Sequence, residues 1–377
     1  MSKPDIIEGI VRHKRDLGGL IFFQIETVAK IVDAAARKDA VDSKIYKEIK
    51  SLAIDDFCQL EVGFEENDRV IYKLLSHIEK KTDFSWNNKE KEIVRAYAFI
   101  LNTVREFFTT NGYTEVRLPS IHFGRISGDI FELDFFGKSA RLTSSNSLFL
   151  DVYTVQLQKA FSIQKCFRAE KSHTTKHLAE FDMLEVARLN SSLEKAMAEL
   201  EHLLKFVLAQ FEKSSFSRLN KLDFAGIIDK NFPVIQYREI ENRYQLKGKG
   251  LGKYEREIAR DIPVFVIDFP RKVASWTARP VNGTYARSFN LLLPGVGEAA
   301  EGTEKQTDME MFRKKLQTTG MENQLGWYLR MVPYSNFLLS GFGLGIERLA
   351  MWLLGLKNIR KIHPVYRDTD FSELKKQ

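Results

Sequence analysis

AFSIQKCFRAEKSHTTKHLAEFDMLEVARLN (160–190) decides the fold of this chain. Two β-prone runs flank the polar loop KSHTTKHLA, which predicts an antiparallel strand pair. SLEKAMAELEHLLKFVLAQFEK (192–213) follows with a strong amphipathic helical pattern. Upstream, FELDFFGKSARLTSS (131–145) reads as a hairpin turning at Gly137. Further upstream, KEKEIVRAYAFILNTVREFFTTNGY (89–113) repeats apolar residues at Ile93, Ala96, Phe99, Ile100, Val104 and Phe107, so a long helix is expected to end at Asn111-Gly112. TEVRLPSI then extends to Pro119, which favours an extended chain before it. Downstream, PVFVIDFP is a strand, SFNLLLPGVGEAAEG (288–302) a strand, a turn and a strand, and GFGLGIERLAMWLLGL (341–356) a Gly-rich strand running into a helix. Mostly antiparallel strands interrupted by long helices imply an α+β fold.

The N-terminal part reads differently. GIVRHKRDLGGLIFFQIETVAKIV (9–32) carries a basic stretch, a Gly-Gly turn and the β-prone LIFFQI; a charged helix around SKIYKEIKSLAIDDF (43–57) and a short strand in QLEVGFEEN (59–67) follow. A small β-rich domain with one helix is expected over 1–68, a linker over 69–87, and a larger domain over 88–377.

Composition narrows the function classes. Hydrophobic residues make up 44% and charged residues 28%, which fits a folded globular chain and not a disordered one. No run approaches the ~18 apolar residues of a membrane helix, and the N-terminus has no apolar h-region, so neither a membrane partner nor a secretory leader is expected. Cys58 and Cys166 offer no disulfide framework and no metal spacing, which points to the cytoplasm. The net charge of +7 is compatible with polyanion binding and does not establish it.

Two segments carry chemistry. In FRAE, Arg168 and Glu170 sit two apart on an expected strand and therefore on one face, opposite Glu180 and Phe181 of the next strand. Arg, Glu and Phe on one face can neutralise phosphate, accept from an adenine amino group and stack on a base. A surface Arg–Glu pair of little energetic weight explains the same residues as well. In GFGLGIERLAM, Gly341, Gly343 and Gly345 permit close ligand approach, and Arg348 falls at a helix start, where the dipole favours phosphate. Close strand–helix packing alone would also account for the glycines. The spacing is GxGxG, and no P-loop is present.

The order of the segments separates these readings. VREFFTTNGYTEVRLPSI (104–121), FRAEKSHTTKHLAEFDMLEVA (167–187) and GFGLGIERLAMWLLGLKNIR (341–360) resemble the three signature motifs of class II aminoacyl-tRNA synthetases. DFFGKSARLTSSNSLFLDVY (134–153), LLLPGVGEAAEG (291–302) and LGWYLRMVPY (325–334) look most like the asparaginyl type of the asparaginyl and aspartyl branch. The resemblance covers residues 88–368. It implies a class II antiparallel sheet with flanking helices, preceded by a small OB-like β-barrel. It also implies ATP and Mg²⁺ as cofactors, an amino acid substrate, tRNA as acceptor, and a homodimer built on the first motif's helix, whose wide apolar face the family buries against its twin. Carried over residue by residue, Arg168 would bind the α-phosphate and the substrate carboxylate, Glu170 the adenine amino group, and Phe181 the adenine ring. His177 and Lys176 would lie near the outer phosphates, and Arg348 would take the γ-phosphate. Glu298 would help hold Mg²⁺, with Asn290 where the family has Asp. Ser147, Asp151, Lys305 and Gly345 fall in the implied substrate pocket. In the barrel, Arg12, His13, Lys14 and Arg15 would lie near the anticodon stem, and Phe22 or Phe23 could stack on a base.

The departures from the family cluster around the amino acid pocket. Asn290 replaces an Asp, Glu301-Gly302 a glycine pair, Lys305 an Arg, Leu338-Leu339 a Pro-His, Val332 the Arg of a YLDLR segment, and Asp151 a Glu. Leu150 stands where the aspartyl type has Lys, and an acid at Asp151 suits an amide or amine better than a carboxylate, so aspartate is disfavoured. The acid that usually binds the substrate amino group is not evident, Asp129 being the one acid in RISGDIF. In the barrel, Glu26-Thr27 replaces the family's Arg-Asp. Three functions stay open at this point: an asparagine–tRNA ligase, a tRNA-independent paralogue that activates a carboxylate for amide formation, and a non-catalytic nucleotide-binding regulator.

Overall fold

Alternation of inward apolar and outward polar residues builds the first unit. The structure, a computed structural model, describes residues 5–65, 68–80, 86–123, 129–320, 322–331 and 337–369, and the chain divides into units 1–87 and 88–377. In the first, β1 (Asp5–Asp16), β2 (Leu20–Glu26), β3 (Ile31–Arg37), β4 (Phe57–Glu65) and β5 (Asp68–Ile78) close a barrel in the order β1-β2-β3-β5-β4, with helix α1 (Ser43–Ser51) between β3 and β4. Val11, Ile21, Phe23, Ile25, Leu60, Val62 and Ile71 fill its core, and α1 adds Tyr46 and Ile49. Asp42 caps α1 by accepting from the Lys44 N–H. A five-stranded closed barrel with this helix is the layout of an OB fold.

This barrel corrects the expected linker. Residues 69–78 are not a connector: β5 pairs along β4 and reaches β3, closing the barrel. β4 and β5 pair as neighbours, so the domain does not end after Phe64.

The second unit is built from α2 (Asn88–Thr110), β6 (Thr114–Glu115), β7 (Ile121–His122), β8 (Glu132–Phe135), β9 (Lys138–Leu142), α3 (Ser147–Leu157), β10 (Lys159–Phe167), β11 (Glu180–Leu189), α4 (Leu193–Lys213), α5 (Phe224–Ile228), β12 (Val234–Gln236), α6 (Tyr237–Tyr244), α7 (Glu255–Ile258), β13 (Val264–Ile267), β14 (Ser288–Leu293), β15 (Gly297–Glu304), α8 (Met309–Thr319), α9 (Glu322–Met331), β16 (Leu339–Gly345) and α10 (Ile346–Leu353). An eight-stranded sheet runs β12-β13-β14-β15-β16-β11-β10-β6, antiparallel from β13 to β10, and a small sheet runs β7-β9-β8.

The helical stripes cover one face of this sheet. In α2, Ile93, Ala96, Tyr97, Ile100, Val104, Phe107 and Phe108 are buried at helical spacing. In α4, Leu200, Leu203, Leu204, Val207, Leu208 and Phe211 are buried completely, and Ser192 caps the first turn by accepting from the Lys195 N–H. Both helices join Phe161, Leu184, Phe289, Leu291 and Leu344 in one core. Thus the apolar face of α2 is covered by its own chain, which removes the reason first given for a dimer.

The other face of the sheet stays open because β16 contributes glycines. A Cβ at Gly341 would lie 2.2 Å from the Val186 carbonyl oxygen, whereas one at Gly343 would meet only the Met183 sulfur at 3.4 Å. Gly341→Ala must therefore push β16 off β11 and is expected to cost about 2 kcal/mol or more. Gly343→Ala is expected to cost less than half as much in a parallel urea-unfolding series. Equal losses would contradict the close approach.

Candidate active site

β16 lies between β11 and β15. Its register sets Gly345 opposite Met183, Gly343 opposite both Glu185 and Glu301, and Gly341 opposite Ala187 and Thr303. Directly paired residues share a face of a sheet. These side chains, with Phe181 at one end and Lys305 at the other, form the floor of a cleft of about 830 Å³.

Cations gather at the Phe181 end. The β10 strand stops at Phe167, so Arg168 and Glu170 lie just past it and not on the strand as expected; the Arg168 N–H still donates to the Ala179 carbonyl at 2.9 Å. The Arg168 guanidinium sits 5.3 Å from the Phe181 ring centre. Glu180, one residue earlier, alternates to the other side and lines a neighbouring recess. Arg348 enters from the first turn of α10. It donates to the Glu298 carbonyl at 2.9 Å and to the Lys176 carbonyl at 3.4 Å, and stands 3.6 Å from the Glu298 carboxylate. The N-terminal end of α10 adds partial positive charge to that wall.

Glu298 is held from three sides. Asn290 donates to its carboxylate at 2.6 Å, Arg348 approaches as above, and its N–H donates to Glu255 at 3.0 Å. Glu255 also pairs with Lys176 at 2.5 Å. A Cβ on Gly297 would stand 2.5 Å from the Glu255 carboxylate, and Gly297 has φ +91°, so only glycine admits this contact. His177 Nδ1 meets the hydroxyls of Ser172 and Thr174 at 2.8 and 2.5 Å. Burial, then the charge of Arg348, holds its imidazole below the ordinary value, so the ring is neutral at pH 7.

The Lys305 end is closed by its own residues. Lys305 Nζ donates to both Asp151 oxygens at 2.8 Å, and the Tyr328 hydroxyl donates to one of them at 3.1 Å. Asp151 has no accessible surface, so the structure places it behind the cleft wall and not on it. Burial raises its carboxyl pKa, and Lys305 and Tyr328 oppose that. Ser147 starts α3 at the cleft edge. Val332 lies outside the described residues. Asp129 is exposed, and its carbonyl accepts from the Ala169 N–H.

Glu255 and Glu185 escaped the sequence reading, and Glu301 entered it only as a departure from a glycine pair. Glu255 orients Glu298 from a four-residue helix with no motif of its own. Glu185 lies under the cleft floor, its oxygens accepting from the Asn146 N–H at 2.9 and 3.0 Å and from the Ser145 hydroxyl at 2.5 Å. Its signal was its place two residues beyond Met183 and four beyond Phe181 inside an apolar strand, hence on the same face. Glu301 projects into the cleft centre, with one oxygen accepting from the Ser275 N–H at 3.1 Å. Desolvation inside the cleft, then the charge of Glu298, pushes its carboxyl up to about 7, against Arg168, although the residue stays exposed to the open cleft.

A second cluster, Asp182, Glu347 and His363, lies at the cleft edge, where Glu347 joins the lining. The Asp182 N–H bonds Glu347, Tyr97 donates to Asp182, and Lys165 pairs with it, so it serves as a cross-link between strand and helix.

The barrel residues fare differently. Phe23 points into the barrel core, so it cannot stack on a base. Arg12 is taken up by Glu26 and Asp55, each at 2.5 Å. Lys14 donates to the carbonyls of Lys50 and Leu52. Phe22 is exposed and pairs in register with Arg15.

An antiparallel sheet floored by glycines, with arginines on two walls of one cleft, defines a class II synthetase domain. The chain belongs to the family of class II tRNA synthetases (D, K and N), whose model matches residues 78–367. It is 27% identical to the asparagine–tRNA ligase of Thermoplasma acidophilum over 96% of this chain and 94% of that one. It is 31% identical to that of Mycoplasmoides gallisepticum over 74% and 70%. The asparaginyl-tRNA synthetase of Pyrococcus horikoshii, complexed with asparaginyl-adenylate, superposes with a TM-score of 0.84 at 25% identity, covering 97% of this chain and 95% of that one. ATP is the nucleotide that this class uses.

The closed floor gives a stability test. Lys305→Ala strands the Asp151 carboxylate in the interior and should cost about 3–5 kcal/mol at pH 7.5. The loss should shrink toward pH 5, because a buried carboxyl with a raised pKa takes up a proton there. Denaturant unfolding at both pH values, with the double variant D151N/K305M as the milder reference, checks this. A pH-independent loss would contradict the buried pair.

Proposed function

We propose that the chain activates asparagine with ATP as asparaginyl-adenylate, releases pyrophosphate, and transfers the acyl group to tRNA. The observation that carries this reading is the placement of Arg168, Phe181 and Arg348 around one glycine-floored cleft. The names of the relatives supply the amino acid and the acceptor.

The chemistry follows from charge and position. The amino acid carboxylate attacks the α-phosphorus in line with the departing pyrophosphate, so a protein nucleophile is not required. Arg168 neutralises charge that grows on the α-phosphate and orients the carboxylate, and Arg348 receives the far phosphates. Phe181 stacks on adenine and Glu170 accepts from its amino group. Lys176 and His177 stand near the outer phosphates, Lys176 exchanging Glu255 for phosphate oxygen. Mg²⁺ suits this donor set, since it needs few protein carboxylates when phosphates complete its shell. Glu298, with Asn290 beside it, would hold the ion, which when bound neutralises phosphate charge. Gly345 keeps the floor clear, and Ser147 lies at the amino acid end with Lys305.

A homodimer in the cytoplasm belongs to the same proposal. Support for the dimer now comes from exposed Ile121, Phe123 and Phe136 at the small sheet, Phe136 being 90% exposed. Among the described residues no helix is long and apolar enough to cross a membrane. On the barrel, the exposed Phe22 beside Arg15 would be the pair to meet a single-stranded base.

A second reading, a tRNA-independent ligase, draws on the closed Lys305–Asp151 floor, the internally paired Arg12 and Lys14, and the inward Phe23. ATP–pyrophosphate exchange with asparagine, followed by charging of tRNA, separates the two. The wild-type chain is expected to do both, and exchange without charging would favour the second. Arg168→Ala and Arg348→Ala should each lower exchange by about 100-fold or more. Exchange within a few-fold of wild type in either variant would contradict the assignment.

A further inference from the structure

We propose that Glu301 is the general base of the acyl-transfer half-reaction, removing the proton of the acceptor hydroxyl as it attacks the acyl-adenylate. This rests on the proposed adenylation at the same cleft.

The register of the sheet places Glu301 at the reacting centre. Along the floor, the Gly345 row leads to the Phe181 and Arg348 end, and the Gly341 row leads to Lys305. The row between holds Asn290, Glu301, Gly343 and Glu185 side by side. An adenylate laid from Phe181 toward Lys305 puts its acyl–phosphate junction over this row. Gly343 has no side chain, so the two carboxylates face each other across a gap two strand spacings wide, about 10 Å between backbones.

Of the acids near that junction, Glu301 is the one with capacity to spare. Both Glu185 oxygens already accept hydrogen bonds, and its residue is 4% exposed. Glu298 is engaged by Asn290 and Arg348. The Ser275 N–H fixes one Glu301 oxygen, and the other opens into the cleft with no partner among the described residues. A glycine at this position, as the family resemblance implies, could not perform this role.

The step balances within the named groups. The acceptor hydroxyl oxygen bonds to the acyl carbonyl carbon while its proton moves to the open Glu301 oxygen. The bond from that carbon to the phosphate oxygen breaks, and AMP leaves with the electron pair. Glu301 then returns the proton to water. The titratable and charged groups lining the same cleft are Glu298 on its own strand, Lys305 just past it, Arg168, Glu170, Lys176 and His177 after β10, Glu185 on β11, Arg271 and Lys272 on the Ser275 loop, Lys315 on α8, and Glu347 and Arg348 on α10; the residues paired with it on β14 and β16 are Asn290 and Gly343.

The test isolates the enzyme–adenylate complex and mixes it with tRNA between pH 5.5 and 9, for wild type, Glu301→Gln and Glu301→Gly. Adenylate formation is measured in the same proteins by hydroxylamine trapping, since hydroxylamine attacks without a protein base. Wild-type transfer should rise with pH and then level off, because the base works deprotonated. Both variants should lose that limb and transfer about 100-fold more slowly per trapped adenylate. Transfer within a few-fold of wild type, or an unchanged limb, would overturn the proposal, as would variants that form no adenylate. If wild type forms adenylate without charging tRNA, the tRNA reading alone fails, and water becomes the acceptor. Glu301→Gln must then slow hydrolysis of the bound adenylate, and an unchanged rate would overturn the base assignment.

Discussion

The approach of β16 to β11 governs everything else in the catalytic unit. At Gly341 the two backbones come so close that a methyl group would collide with the Val186 carbonyl. The same run of glycines leaves the middle of a large sheet without side chains, which is unusual for a strand interior and destabilising on its own. Helices α2 and α4 offset that by sealing the opposite face with a continuous aromatic and aliphatic core. Strand β16 therefore trades packing on one face for a flat bed on which a ligand can lie.

Charge is arranged around this bed by partners outside it. Glu255 holds both Lys176 and the backbone of Glu298, so a single short helix couples the loop after β10 to the acid on β15. Arg348 grips the Glu298 and Lys176 carbonyls from the opposite wall. At the far end, Lys305, Asp151 and Tyr328 satisfy one another completely. A buried ion pair braced by a neutral phenol is costly to break and has little left to offer a ligand. The side-chain end of the cleft is thus stiff and electrically quiet, while Glu301 brings an open carboxylate to its centre.

Much of this was legible because the decisive information is local. The α+β class, α2, α4 and the β10–β11 pair follow from periodicity, and Arg168, Phe181 and Arg348 follow from motif order. What stayed hidden depends on contacts distant in sequence. Lys305 and Asp151 are 154 positions apart, so their closure could not be seen from either segment. Glu185 became part of the site only through its pairing across Gly343. Phe22 and Phe23 illustrate a register limit: alternation guarantees that one faces inward, and the bulged pairing with β1 decides which. The β5 strand was missed because the turn before it looks the same whether it ends a domain or joins a hairpin.

The most direct test of the central claim is a crystal structure of the chain with ATP and asparagine bound. The account predicts adenine on Phe181, the α-phosphate bonded to Arg168, and the terminal phosphate bonded to Arg348. A nucleotide ordered elsewhere, or one whose phosphates turn away while Arg348 stays on the Glu298 carbonyl, would contradict it.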